Sequence, residues 1–253
     1  MMEAAVIAGK GMRAEMEDAH LLDLNFLNWG WVLVGVYDGH NGSFAAHYAA
    51  EKLPGVFQEG LLRGLNPQAA FITSYETISM ELGMQDSGTT AVNFLIKDGM
   101  VFTANTGDAR AIVIGNNSLS QLTVDHRLHN PEERERIERM GGRIIYPYTY
   151  RGNLGLMPTR TIGDPYFKAV GVMATPSLAE YEITGDDFML LAACDGLFDV
   201  MTNEEVADFA RKSPRPGPLL DGLKDEVLVA RAGTDNLTII AVSLDQNRGA
   251  SGT

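Results

Sequence analysis

Trp31-Val32-Leu33-Val34-Gly35-Val36-Tyr37-Asp38-Gly39-His40 is the stretch on which the fold turns. Its first seven residues are apolar or small in succession, without the alternation of a half-exposed strand. Such a run reads as a strand buried on both faces. A carboxylate and a glycine then end it. The same grammar returns at residues 188–196, where Phe188-Met189-Leu190-Leu191-Ala192-Ala193-Cys194 runs into Asp195-Gly196. An aspartate at the mouth of a buried strand is costly unless a cation or hydrogen bonds compensate its lost hydration. Either Asp-Gly pair alone reads as a turn. Both together, each at the end of a buried strand, favour the compensated carboxylate.

Working outward, residues 4–8, 89–96, 100–105, 109–114 and 237–244 read as further strands. Lys97-Asp98-Gly99 is a tight-hairpin signal, because Asp-Gly tolerates the positive φ that such turns require. Residues 43–53 and 67–84 read as helices; in the second, Phe71, Tyr75, Ile78 and Leu82 recur at helical spacing and read as core. Asn130-Pro131-Glu132-Glu133 opens another helix with a cap, a first-turn proline and acids at the positive dipole end; Gly141-Gly142 stops it. Thr202 and Glu205 form a capping box, and residues 213–218 (Ser-Pro-Arg-Pro-Gly-Pro) read as a loop between helices. Runs of strands separated by helix pairs imply an α+β fold with largely antiparallel sheets. We expect one domain over residues 1–246 and a short tail at 247–253.

Composition narrows the chemistry. The 253 residues are 45% hydrophobic, enough to bury a sizeable core, and carry a formal net charge of −13. A basic face for nucleic acid or anionic lipid is not expected. No apolar run approaches the ~20 residues of a membrane-spanning helix. The single cysteine, Cys194, forms no internal disulfide and reads as a buried structural thiol in a reducing compartment. With no signal peptide legible at the N-terminus, a cytoplasmic setting is expected, with the nucleus as the other candidate. Oxygen donors at Glu17-Asp18, Asp38, Asp195 and Asp235, with few histidines, point to Mg²⁺ or Mn²⁺ rather than zinc. Two such ions ~3.5–4 Å apart would make a shared water nucleophilic near neutral pH.

Several short motifs occur in a fixed order. They are residues 11–20 (Gly11-Met12-Arg13-Ala14-Glu15-Met16-Glu17-Asp18-Ala19-His20), Val36-Tyr37-Asp38-Gly39-His40-Asn41-Gly42 and Ser87-Gly88-Thr89-Thr90-Ala91. Asn105-Thr106-Gly107-Asp108-Ala109-Arg110, Asp125-His126-Arg127, residues 193–200 around Asp195 and Thr234-Asp235-Asn236-Leu237-Thr238 follow. Over residues 4–244 the ordered set closely resembles the protein phosphatase 2C (PPM) family. The resemblance implies a four-layer αββα sandwich, two antiparallel sheets face to face with helices outside, and metal-dependent hydrolysis of phosphoserine and phosphothreonine in protein substrates. It implies that Asp38 bridges two cations with a carbonyl from Gly39, that Asp195 and Asp235 complete the inner set, and that Glu17 and Asp18 hold metal-bound waters. Asp125 and Asp199 match positions of a weaker third metal in some members; hydrogen bonding to the ligands is the competing role. Arg13 matches a phosphate clamp, its planar guanidinium offering paired donors. His40 matches the general acid, with orientation of a carboxylate as its alternative. Asp108 reads as tying a turn.

The match weakens near the flap beside the site. Leu156-Met157-Pro158-Thr159-Arg160 stands where the family commonly has Leu-Ala-Val-Ser-Arg, and proline fixes φ and removes a donor. Arg160, Gly163 and Asp164 match a family segment close by. The chain reads as a minimal catalytic unit or a portion of something longer, most simply a monomer. A catalytically silent family member acting as a binding module is the alternative; such proteins typically lose metal ligands, and here Asp38, Asp195 and Asp235 are present.

Overall fold

In the computed structural model, which describes residues 2–244, two five-stranded antiparallel sheets lie face to face. One runs Ala4–Gly9, Leu237–Ser243, Asp187–Ala193, Arg110–Gly115, Leu119–Gln121; the other runs Ser177–Glu182, Met100–Thr106, Ala91–Lys97, Trp31–Tyr37, Ala19–Phe26. The period-two geometry of a strand explains why Trp31–Tyr37 is apolar throughout. Val32, Val34 and Val36 join Val92, Phe94, Ala111, Val113, Leu190 and Ile240 between the sheets. Leu33 and Tyr37 face the other way, into a cluster with Phe57, Phe71, Tyr75 and Ile78 of the covering helices Phe44–Leu62 and Pro67–Glu81. On the opposite side, Met189, Leu191 and Ile239 pack on helices Asn203–Lys212 and Pro216–Asp225. Each sheet therefore buries both faces, and the layers are helix, sheet, sheet, helix.

One polar cluster stands inside the apolar layer between the Trp31–Tyr37 sheet and its covering helices. The Tyr75 hydroxyl donates to Asn93 Oδ1 (2.8 Å), while Asn93 Nδ2 donates to the Val34 carbonyl (3.0 Å) and to the Tyr37 hydroxyl (2.8 Å). A fully satisfied buried network of this kind fixes which helix face meets the sheet.

Local signals hold where the chemistry is local. Asp98 and Gly99 take positive φ (52° and 77°) in the hairpin between Ala91–Lys97 and Met100–Thr106. Asn130 accepts from the Glu132 N–H to cap Pro131–Arg139, and the Thr202–Glu205 capping box is formed. The helix read as 67–84 ends at Glu81, the strand read as 89–96 is split at Thr90, and two boundaries differ more. The helix expected to stop at residue 53 continues through Pro54 to Leu62, because Phe57 stacks on Phe71 with ring centroids 4.2 Å apart and is fully buried. That packing outweighs the ~3 kcal/mol cost of an interior proline. The segment expected to be loop at 213–218 is shorter, since Pro216 opens the Pro216–Asp225 helix, a first-turn position where its missing N–H costs nothing. A small sheet of Arg143–Ile145, Tyr148–Arg151 and Leu154–Leu156 was not foreseen. The tail expected at 247–253 lies outside the described residues. Among the described residues no helix is long and apolar enough to cross a membrane.

Candidate active site

The acids converge where strand ends of both sheets meet. A cleft of about 480 Å³ is lined by Arg13, Glu17, Asp38, Gly39, His40, Asp195, Asp199 and Asp235, and also by Asp108 and Asp164. Asp18 lies beneath it; its carboxylate, that of Asp38 and the Cys194 sulfur offer atoms within 4.8 Å of one another. Asp38 ends Trp31–Tyr37, Asp195 opens a single turn of helix after Asp187–Ala193, and Asp235 precedes Leu237–Ser243.

The two Asp-Gly pairs do something other than turn. Neither Gly39 nor Gly196 has positive φ. A Cβ on Gly39 would collide with the Glu17 carbonyl, and one on Gly196 with the Asn236 carbonyl. The glycines let the Asp38 and Asp195 segments press against the backbones that carry Glu17 and Asp235, which gathers the carboxylates. Asn236 fixes the remaining loop. Its side chain accepts from the Glu17 N–H (2.8 Å) and donates to the carbonyls of Lys10 (2.8 Å) and Glu15 (3.0 Å).

Electrostatically the cluster is under stress. Burial, then the neighbouring charges of Asp195, Asp18 and Asp108, push Asp38 well above the usual carboxylate range. Asp195 and Asp18 are raised as well, in each case first by burial and then by nearby carboxylates. Asp18 Oδ2 accepts from the Thr238 hydroxyl (2.7 Å), while buried Oδ1 has no hydrogen-bond partner. An orphaned buried oxygen beside acids that suppress one another's ionisation is the condition that a divalent cation relieves. All the acidic donors are hard oxygens, so the residues fit such an ion.

His40 is held by Asp164, with Nε2 and Oδ2 2.8 Å apart. Burial works against the imidazolium, but the charge and hydrogen bond of Asp164, then Asp108 and Glu17, outweigh it and raise the His40 pKa. The carboxylate His40 meets is therefore not one of the expected metal ligands. Asp164→Asn is expected to move the alkaline limb of the pH–rate profile to lower pH, because the raised pKa that keeps His40 protonated is lost. It should forfeit part of the ~10²–10⁴-fold that a positioned acid contributes. A pH–kcat profile of that variant with an unshifted alkaline limb would remove Asp164 from this role.

Arg13 reaches the rim, where Nη2 donates to Asp235 Oδ2 at 2.6 Å. Tyr148, Leu154 and residues 155–158 form one wall of the cleft, with Pro158 itself buried. Two expected site residues are not in the cleft lining: Asp18, which lies beneath it, and Asp125, whose carboxylate Arg110 holds through Nε (3.1 Å) and Nη2. Residues the sequence reading passed over are Asp164 as the partner of His40, Asn236 as the loop tie, and Arg127, whose guanidinium contacts Asp108, Asp195 and Asp199. Arg127 stood in a quoted motif, but an arginine reads as surface until its acidic partners are located.

Face-to-face antiparallel sheets that bring Asp38, Asp195 and Asp235 to one cleft, over buried Asp18 and beside buried Asp108, define an acidic centre suited to divalent cations. Residues 2–228 match the model of the family described as Protein phosphatase 2C. The chain is 32% identical over 250 residues to Probable protein phosphatase 2C member 13, mitochondrial, of Oryza sativa subsp. japonica, covering 94% of this chain and 67% of that protein. It is 31% identical over 265 residues to human Protein phosphatase 1A, covering 92% and 68%. Among solved structures, the serine-threonine phosphatase 2C of Toxoplasma gondii superposes with a TM-score of 0.83 over 96% of this chain and 94% of that one; its 23% identity bears on the fold alone. The chain belongs to the protein phosphatase 2C family and is a protein-serine/threonine phosphatase. It spans about two thirds of the length of the two curated relatives.

Proposed function

We propose that this chain hydrolyses phosphoserine and phosphothreonine in protein substrates with two divalent cations, Mg²⁺ or Mn²⁺. Asp38, Asp195 and Asp235 with the Gly39 carbonyl would hold them, supported by Glu17 and Asp18. The observation that carries this reading is the crowding of Asp18, Asp38 and Asp195, with one Asp18 oxygen buried and unpartnered. When bound, such ions lower the pKa of water enough to make it a nucleophile near neutral pH. The remaining work falls to side chains. Arg13 turns its guanidinium from Asp235 to the phosphate oxygens and orients phosphorus for in-line attack. As the bond from phosphorus to the seryl or threonyl oxygen breaks, His40 gives that oxygen a proton. With Nε2 held by Asp164, the proton leaves from Nδ1, and the raised pKa keeps it available near neutral pH. The catalytic domain is taken as residues 1–246, working as a monomer in the cytoplasm or nucleus.

Hydrolysis of an aryl phosphate and of a phosphothreonine peptide, with Mn²⁺, Mg²⁺ or chelator, tests the reading. Turnover should require metal and vanish with chelator. Arg13→Ala should mainly raise KM, while His40→Ala should lower kcat by about 10²-fold or more with Mn²⁺ affinity nearly unchanged. If His40→Ala instead strips the metal, the acid assignment is wrong. Metal binding without turnover would favour the silent, binding-module alternative.

A further inference from the structure

The two carboxylates that match a third-cation position are each already held by an arginine. Arg127 Nη1 and Nη2 donate to Asp199 Oδ1 (2.8 Å) and Oδ2 (3.1 Å) in a paired fork, Nη2 also reaches Asp195 Oδ2 (2.9 Å), and Nε donates to Asp108 Oδ2 (2.5 Å). Arg110 binds both oxygens of Asp125, and its Nη1 donates to Asn203 Oδ1 (2.6 Å). The Arg110 guanidinium also lies over the Phe198 ring, 4.4 Å from its centroid, which adds a cation–π contact. Both arginine side chains are mostly buried, at 20% and 17% exposure, so the Arg110–Asp125 and Arg127–Asp108 ties are shielded from solvent, while Asp199 meets the same guanidinium as Asp108 from the exposed side of the cleft.

A guanidinium remains charged at any physiological pH, and its planar fork matches a carboxylate with two parallel hydrogen bonds. A divalent ion entering beside Asp199 would have to break the Arg127 fork and leave that cation buried against a second cation. It would gain little from Asp125, whose oxygens are committed to Arg110. We infer that Arg127, backed by Arg110, is a built-in counter-cation that occupies the third-cation position, so that this chain binds two divalent ions and not three. Arg127 is thus a positioning residue that sets metal stoichiometry. Its hold on one oxygen of Asp195 leaves the other available to the two-ion centre. The inference rests on the proposal above that the cleft takes divalent cations.

The test is calorimetric Mn²⁺ titration of the metal-free full chain, with bound metal counted after dialysis, alongside melting curves. The wild type is expected to bind two Mn²⁺ per chain, and Asp199→Asn should still bind two, since Asp199 serves Arg127 and not an ion. Arg127→Met frees three acids at once. It should take up a third Mn²⁺, and its metal-free melting temperature should fall by about 5 °C or more and recover as Mn²⁺ is added. Three ions in the wild type, or loss of an ion in Asp199→Asn, would overturn the inference even if Arg127→Met does not fold. Two ions in a folded Arg127→Met would overturn it as well. No binding to the wild type would instead defeat the two-cation reading beneath it.

Discussion

Asp38→Asn is expected to raise the melting temperature of the metal-free protein by about 5 °C while cutting metal-dependent turnover by about 10³-fold. Both effects have one cause. Asp38 is half-buried in the cleft beside Asp18, Asp108 and Asp195, and without metal those charges repel across a poorly hydrated space. Removing one charge and keeping the shape relieves repulsion of order 2 kcal/mol, a figure scaled from a few ångströms' separation at an effective dielectric near 20. The same carboxylate is the proposed bridge between cations, whose stabilisation of transferring charge is several kcal/mol. The pH dependence has a definite sign. For an acid whose folded pKa is raised, the folded state binds more protons than the unfolded chain between the two pKa values, so stability falls as pH rises through that window. Asp195, moved from 3.8 to about 8 by burial and by Asp108 and Asp199, places the window between about pH 4 and pH 8. Metal-free wild type should therefore melt higher at pH 5 than at pH 8, and Asp38→Asn should flatten the difference. Differential scanning calorimetry with and without chelator reads both effects; a variant less stable than the wild type without metal would refute the account of a strained site.

Glu133→Ala is expected to cost about 3–5 kcal/mol, lowering the melting temperature by roughly 10 °C. The Glu133 carboxylate is 1% exposed and sits between two arginines: Arg136 donates through Nη1 (2.6 Å) and Nη2, and Arg160 through Nε (3.0 Å) and Nη2 (2.7 Å). The Thr159 hydroxyl adds a bond at 2.6 Å. This network fastens the Pro131–Arg139 helix to residues 159–160, which follow the cleft wall at Pro158. Loss of the carboxylate strands two largely buried guanidiniums, whereas Glu133→Gln keeps the shape and should cost less. Burial opposes ionisation, but the bonds from Arg136, Arg160 and Thr159 win and lower the Glu133 pKa from 4.5 to about 2. A depressed acid contributes stability that is present above its unfolded pKa and lost as pH falls through the folded one. The deficit of Glu133→Gln relative to the wild type should accordingly be constant above about pH 5 and shrink between pH 4.5 and pH 2. Urea midpoints across that range would show it; a deficit that does not change with pH would mean that packing, not charge, carries the network.

Local chemistry was legible in the chain itself. Unbroken apolar runs at Trp31–Tyr37 and near Asp187–Ala193 marked strands covered on both faces, Asp98-Gly99 marked a hairpin, and Asn130 and Thr202 marked helix starts. These outcomes depend on a few neighbouring residues, so a short window contains their causes. Hard-oxygen chemistry was equally visible, because the acids that end those strands are named in the sequence. Tertiary structure alone decided which of them meet. Glu17 and Asn236 lie 219 residues apart yet share a hydrogen bond, and Gly39 and Gly196 act through close approach to backbones that no local window includes. The pairing of Arg127 with Asp199, of Arg110 with Asp125, and of His40 with Asp164 likewise awaited the register of two sheets. A side chain's charge is fixed by its residue type, whereas its counter-ion is chosen by whatever the folded chain sets beside it.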